Sequence, residues 1–136
     1  NVGIIRTKKE IENGIKEIEV LKSKFKDVKA PGSSQFNPGW HEALALRNLL
    51  ISAESVAKSA LIREESRGAH TREDFPSETE EWIKYNIVNK KGKDGKMETT
   101  KVLRKNADKE LQRIAYSELN DLEKEVKIEH NKLKVV

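Results

Sequence analysis

The chain contains no cysteine, which excludes disulfide scaffolds, thiolate metal sites and cysteine nucleophiles. No apolar run approaches the ~18 residues that a membrane-spanning helix needs, so direct membrane insertion is not expected. No secretory or transit pattern opens the sequence either. Its seven glycines, at positions 3, 14, 32, 39, 68, 92 and 95, form no G-x-G-x-x-G fingerprint and no phosphate-cradling loop. Histidine is scarce: His41, His70 and His130 lie far apart, without the helical spacing that pairs two imidazoles on a metal. The acidic pairs Glu64–Glu65 and Glu80–Glu81 are sequence neighbours that point in different directions, and they read as ordinary surface. No catalytic, cofactor-binding or metal residue is expected in this stretch.

What is present suffices for one domain. The chain has 136 residues, of which 34 are Leu, Ile, Val or Phe, a quarter of the total and above the roughly 20% below which cores fail. Charged residues make up 37%, with a formal net charge of +4. Both signs interleave through most of the sequence, the pattern of solvated helix faces. One window differs: Lys84 to Lys105 holds eight basic residues against Asp94 and Glu98. The chain opens at Asn1-Val2-Gly3-Ile4-Ile5 without a methionine and reads as a piece of something longer.

Thr7-Lys8-Lys9-Glu10 predicts a capping box. Ile11, Ile15, Ile18, then Leu21 or Lys22, and Phe25 follow at helical spacing, and Ala30-Pro31-Gly32-Ser33-Ser34 ends the helix. A second helix is predicted from Asn37 as N-cap and Pro38 at the first position to Arg67, with Gly68 as its left-handed cap. At roughly 29 residues it would span about 43 Å, with apolar residues on more than one face. Ala53, Ala57 and Ala60 would allow another helix close approach. Pro76 to Trp82 suggests a short helical turn. Tyr85–Asn89 and Met97–Leu103 lean to strand on either side of Asp94-Gly95, a hairpin signal. A third long helix is predicted over about 106–131, striped by Leu111, Ala115, Leu119, Leu122 and Val126. Three such helices pack most simply as an antiparallel bundle. The expected fold is therefore all-α, a single domain over 1–136, with a small β-hairpin between the second and third long helices.

The lysine-rich hairpin tip could meet phosphates, but only Tyr85 stands near it to stack on a base. Lysines on a hairpin tip also serve solubility and blunt a sheet edge, so no nucleic-acid partner is expected. The more unusual stretch is Arg63 to Asp74, with three arginines and four carboxylates in twelve residues. Arginine suits a helix C-terminus electrostatically, and helical geometry would set Arg63 and Arg67 on one face. Such a loop is either a solvated connector or a surface built to meet matching carbonyls and carboxylates.

The run Arg63-Glu64-Glu65-Ser66-Arg67-Gly68-Ala69-His70-Thr71-Arg72-Glu73-Asp74-Phe75-Pro76 resembles the signature of the C-terminal helical domain of succinate dehydrogenase and fumarate reductase flavoprotein subunits. Val2 to Thr7 is similar to that family's entry into its first helix. Leu46 to Glu54 is similar to the body of its second, and Trp82-Ile83-Lys84 to the approach to its hairpin. The resemblance covers about residues 2–103; beyond Leu103 the sequence departs from the pattern. A similar motif in L-aspartate oxidase makes that enzyme the alternative within the superfamily. An alternative of another class is a free-standing helical adaptor or nucleic-acid module.

The resemblance implies a spectrin-like helical bundle in a larger, FAD-dependent oxidoreductase subunit that passes electrons between succinate or fumarate and a quinone. FAD and the substrate-clamping residues would lie upstream, so the parent would be active and this fragment alone inactive. The implied partners are the FAD and capping domains of the same subunit and the iron–sulfur subunit of the complex. The implied location is peripheral, on the cytoplasmic side of a membrane or the matrix side in a mitochondrion. Docking is expected to use Arg63, Glu65, Ser66, Arg67, Gly68, His70, Arg72, Asp74 and Phe75. Arginines would bond carboxylates or carbonyls of the flavin domain, with Glu65 and Asp74 holding their orientation. His70 would be an interface hydrogen-bonding residue, and Phe75 with Pro76 would fill an apolar notch.

Overall fold

A computed structural model describes residues 2–133. The chain forms two compact units, Asn1–Arg104 and Lys105–Val136. The first holds strand β1 (Ile5–Arg6), helix α1 (Lys8–Lys24), a 3-10 turn (Phe25–Asp27) and helix α2 (Pro38–Ile62). Strand β2 (Thr71–Arg72), the short helix α3 (Glu80–Ile83) and strands β3 (Tyr85–Lys91) and β4 (Met97–Leu103) follow. The second holds α4 (Lys109–Tyr116) and α5 (Leu119–Leu133).

The local signals for the first two helices act where the sequence puts them. The Thr7 hydroxyl accepts the Glu10 N–H at 3.3 Å, and the Glu10 carboxylate accepts the Thr7 N–H at 2.8 Å, completing the capping box. Asn37 caps α2 by accepting the Gly39 N–H at 2.9 Å, with Pro38 at the first helical position. The α1 stripe buries Ile11 and Gly14. At the ambiguous position Lys22 and not Leu21 meets α2: both are exposed, but Lys22 donates to the buried Glu54 carboxylate at 2.6 Å. On α2 the buried residues are Leu50, Glu54, Ala57 and Ala60, so α1 lies against a narrow, partly small-residue face. β1 pairs in parallel with β2, Ile5 with Thr71 and Arg6 with Arg72. That pairing brings the start of α1 beside the chain leaving α2, and the two helices run antiparallel.

The long middle helix ends earlier than its sequence suggests. α2 stops at Ile62, and Arg63 is its extended C-cap residue with ψ 98°. Arg63 and Arg67 therefore do not share a helical face. Gly68 does adopt the left-handed conformation, φ +58°, but inside a two-residue turn whose flanks, Arg67 and His70, exchange backbone bonds of 2.9 and 3.1 Å. Glycine at the first central position is what such a turn favours.

β3 and β4 form an antiparallel ladder from Tyr85↔Leu103 to Lys91↔Met97. Its turn is one residue longer than an Asp-Gly pair alone requires. The Gly95 N–H bonds to the Gly92 carbonyl at 3.0 Å, and Gly95 sits at φ +80°, the arrangement of a turn followed by a glycine bulge. The hairpin lies on α2. Asn89 donates to the Ser55 and Ser59 hydroxyls at 2.7 and 2.9 Å and accepts from Thr99 at 2.6 Å.

The expected third long helix is two shorter ones. Ser117, at ψ 148°, interrupts it after α4, and the Ser117 hydroxyl bonds back to the Arg113 carbonyl at 2.7 Å, a local bond that competes with helix continuation. Arg113 joins the two pieces by pairing with Glu110 and Glu125, each at 2.8 Å. Helix predominates and the small antiparallel hairpin stands where the sequence places it. In the first unit, however, the long helices are two, and a hairpin lies on α2.

Candidate functional site

The loop from Arg63 to Pro76 is built around two buried charged groups, Arg72 and Glu65, each with no exposed surface. Arg72 enters on β2, whose pairing with β1 is closed by Thr71 N–H to the Ile4 carbonyl and Glu73 N–H to the Arg6 carbonyl, both 3.1 Å. Its guanidinium meets Asp74 in a two-pronged bond, Nε to Oδ1 and Nη2 to Oδ2, each 2.7 Å. The remaining nitrogen, Nη1, reaches the carbonyls of Ala60 at 2.9 Å, Arg63 at 3.1 Å and Leu61 at 3.3 Å. Those are orphan acceptors at the end of α2, where the helix dipole leaves negative charge. Arg72 thus supplies the C-terminal cap expected of Gly68, and this accounts for α2 ending at Ile62. The Phe75 ring lies 4.9 Å from the guanidinium carbon.

Asp74 continues the chain of bonds by accepting the Lys8 N–H at 3.1 Å, one of the orphan donors at the start of α1. One carboxylate and one guanidinium therefore join the C-terminus of α2 to the N-terminus of α1. The bond from Arg72, with the Lys8 N–H in support, holds the Asp74 carboxyl down at about 2. It stays ionised at neutral pH.

Glu65 faces the other way. It takes Arg67 Nε and Nη2 on its two oxygens, both at 3.2 Å, and the Thr79 N–H at 3.0 Å, with Arg63 Nη1 at 3.4 Å. Burial works to raise its pKa, but the Arg67 bond, the Thr79 N–H and the two guanidinium charges outweigh it and keep Glu65 ionised. Arg67 also pairs with Glu78 at 3.0 Å and donates to the Thr79 carbonyl at 3.2 Å. Ser66 pins the loop from inside, donating to the Phe75 carbonyl and accepting the Arg72 N–H, both at 2.8 Å. Arg63 stacks over the buried Trp82 ring at 5.6 Å, and Lys101 approaches the same ring at 4.3 Å.

His70 donates its Nε2 proton to the Arg63 carbonyl at 3.1 Å, since a carbonyl only accepts. Burial above all, with the charges of Arg6, Arg72 and Arg63 added, outweighs the upward pull of that bond and lowers its pKa. His70 is accordingly neutral, and its bonded partner is the Arg63 carbonyl and not the Asp74 carboxylate. Among the described residues no buried side-chain nitrogen or oxygen lacks a partner, and no three His, Asp or Glu side chains gather to hold a metal ion.

All nine residues singled out from the sequence fall in one cluster, with different placements. Glu65 and Arg72 are buried, Ser66, Arg67, Arg63, His70 and Phe75 are half-buried, and Gly68 and Asp74 are exposed. The connector is thus rigid by its own bonds. Sequence reasoning missed a second buried ion cluster, Glu54 between Lys22 at 2.6 Å and Lys58 at 2.8 Å. The spacing of Glu54 and Lys58 was the available signal, as it stacks opposite charges along one helix face. Burial tends to raise the Glu54 pKa, but the two lysines lower it overall.

A helix pair locked at one end by an arginine–carboxylate clasp, with a hairpin laid across its longer helix, defines the class: a mostly helical domain with a small antiparallel hairpin. The chain matches the family described as fumarate reductase flavoprotein C-term over residues 1–134, past the point where the motif resemblance stops, and it belongs to that family. It is 44% identical over 91 residues to a fumarate reductase (CoM/CoB) subunit from Methanothermobacter marburgensis, covering 67% of this chain and 17% of that protein. It is 39% identical over 89 residues to the mitochondrial succinate dehydrogenase [ubiquinone] flavoprotein subunit of Oryza sativa, covering 64% and 14%. Among solved structures, the apo Sdh1 complex of Mycobacterium smegmatis aligns with TM-score 0.73 and 37% identity, over 90% of this chain and 21% of the other. An E. coli quinol fumarate reductase aligns at TM-score 0.69 and 29% identity, over 78% and 19%. The chain therefore spans about a seventh to a fifth of the length of the relatives it resembles.

Proposed function

We propose that this chain is the C-terminal helical domain of an FAD-dependent succinate dehydrogenase or fumarate reductase flavoprotein subunit. In this reading it packs on the FAD and capping domains and supports assembly with the iron–sulfur subunit in succinate–quinone electron transfer. The redox chemistry belongs to the rest of the subunit, which sits peripherally on the inner face of its membrane. No described helix is long and apolar enough to cross a membrane.

The observation that carries the reading is an uncovered apolar stripe on α2. Leu46, Leu49, Ala53 and Val56 follow at three- and four-residue steps, and Leu49 and Val56 keep 64% and 57% of their surface exposed. Leu46, Leu49 and Ala53 lie outside the groove between α2 and the hairpin, and Val56 borders it. A run of that kind marks a face that meets protein, and the family supplies a large neighbour in the same subunit. The clasp provides the rigid end of that face. Glu65, Ser66 and Arg72 hold the loop from within, while Arg63, Arg67, Gly68, His70, Asp74 and Phe75 present its outer surface to the flavin domain.

Leu49→Asp tests this. The isolated chain is expected to melt as before, since Leu49 is already in water, while the full subunit carrying the change loses bound flavin and co-purifies less iron–sulfur subunit. Unchanged flavin content together with an unchanged complex would refute the docking reading.

A further inference from the structure

A groove of about 780 Å³ runs between the end of α1, the middle of α2 and the tip of the β3–β4 hairpin. Its floor is apolar, made by Phe25, Leu50, Ile51 and Met97. Ile51 retains 44% of its surface exposed, so the floor is open to solvent. The rim is cationic. Arg47 stands on one wall, Lys91 and Lys96 on the other, and none of the three makes an ion pair or hydrogen bond through its side chain among the described residues. Lys22 and Lys90 complete the rim, and the buried Glu54 is the one carboxylate in the lining. Glu54 is already bonded to Lys22 and Lys58, and Lys90 leans on Glu98 at 3.2 Å. With Lys22 held by Glu54 and Lys90 by Glu98, Arg47, Lys91 and Lys96 leave three positive charges without a carboxylate. The hairpin's lysines thus do more than blunt a sheet edge: they share one concave surface with α2.

We infer that this groove is a docking site for an acidic amphipathic helix of a partner protein. The floor needs an occupant with an apolar stripe, and the rim needs carboxylates on both sides of that stripe; an acidic amphipathic helix supplies both. The α2 wall from Arg47 to Val56 is about 14 Å long, which matches a partner segment of about three turns. Charge on the rim steers the encounter and sets its register, while the floor supplies apolar burial. A nucleic acid fits less well, because Phe25 is the groove's single aromatic residue and bases need flat rings to stack on. The groove shares only Val56 with the apolar stripe and takes in none of Leu46, Leu49 and Ala53, so the inference stands whether or not that stripe meets a flavin domain.

The probe is a fluorescein-labelled helical peptide of about 12 residues, leucines on one face and glutamates elsewhere, titrated with the full 136-residue chain and read by anisotropy. Saturable binding is expected that weakens at least tenfold between about 50 and about 300 mM salt. The charge reversals R47E, K91E and K96E together are expected to weaken it at least tenfold, and Ile51→Asp to weaken it independently. All three reversed side chains are unpaired, so the circular dichroism spectrum should not change. Leu49→Asp, on the other face, should bind like the parent chain. The inference is overturned if the acidic peptide does not bind, if a lysine-for-glutamate peptide binds equally well, or if the charge-reversed chain binds undiminished. It is also overturned if the chain ignores the peptide but binds vesicles of phosphatidylglycerol, which would assign the groove to a membrane surface.

Discussion

Replacing Arg72 with methionine keeps a long side chain in the buried slot and removes every bond the guanidinium makes. Asp74 then keeps only the Lys8 N–H of the contacts it makes outside its own residue, and the carbonyls of Ala60, Leu61 and Arg63 lose their shared donor. Deleting one partner of a buried pair costs about 3–5 kcal/mol, because the surviving charge is left desolvated and unpaired. Asp74 retains 30% of its side-chain surface in water, which places the loss near the lower end, about 3 kcal/mol. Against a typical domain stability of about 5–15 kcal/mol, that is a large fraction.

The same pair sets a pH dependence. The folded-state pKa of Asp74 lies below its ordinary value, at about 2 against 3.8, so its stabilisation is complete above about pH 5 and lost as pH falls through 2. In the methionine variant the largest cause of that depression, the Arg72 bond, is gone. The stability gap between the two proteins should therefore be widest at neutral pH and shrink towards pH 2. Urea unfolding followed by circular dichroism at several pH values measures both quantities. Arg72→Lys should fall between the two proteins, as an ammonium keeps the charge without the planar fork. A loss at pH 7 under about 1 kcal/mol, or a gap that stays constant down to pH 2, would refute the assignment of Arg72 as the clasp.

Two further outcomes follow from the same loop. Gly68→Ala should cost about 1–2 kcal/mol from the left-handed backbone alone, since an added Cβ there meets nothing within 4 Å; Gly68→Asn should recover part of it, and equal thermal melts for all three would contradict the turn. His70 is held neutral in the folded state, with its pKa below the ordinary 6.5. The unfolded chain therefore binds the extra proton more readily, and stability should fall as pH drops below about 6.5. His70→Gln should remove that slope; a slope that persists between pH 7 and pH 5 would place the titration elsewhere.

The elements legible in the sequence are those whose causes lie within a few residues. Thr7 with Glu10, Asn37 with Pro38, and Gly95 between two strand-forming runs are each complete local devices, and each acts where the residues stand. The resemblance around Ser66-Arg67-Gly68-Ala69-His70 locates the loop for the same reason, as a contiguous string. The errors share a cause as well. A glycine cap signal at Gly68 says nothing of a competing cap from a side chain ten residues beyond Ile62, so that local signal places the end of α2 too late. Likewise Ser117 bonds back to Arg113 and divides what the apolar stripe alone reads as one helix.

The amino-acid order by itself determined the inventory: two long helices and their N-caps, a lysine-tipped hairpin, and a dense set of arginines and carboxylates between them. Only the tertiary structure decided which of those charges are buried. Arg72 is fully enclosed because its donors reach α2 carbonyls and Asp74, and Asp74 in turn reaches the Lys8 amide, 66 residues away in the chain. Glu54 is enclosed because Lys22 arrives from the other helix. Charge in a sequence reads as exposure, since an ion leaves water only at a large cost. What offsets that cost is a set of partners assembled by folding, and no local pattern carries it.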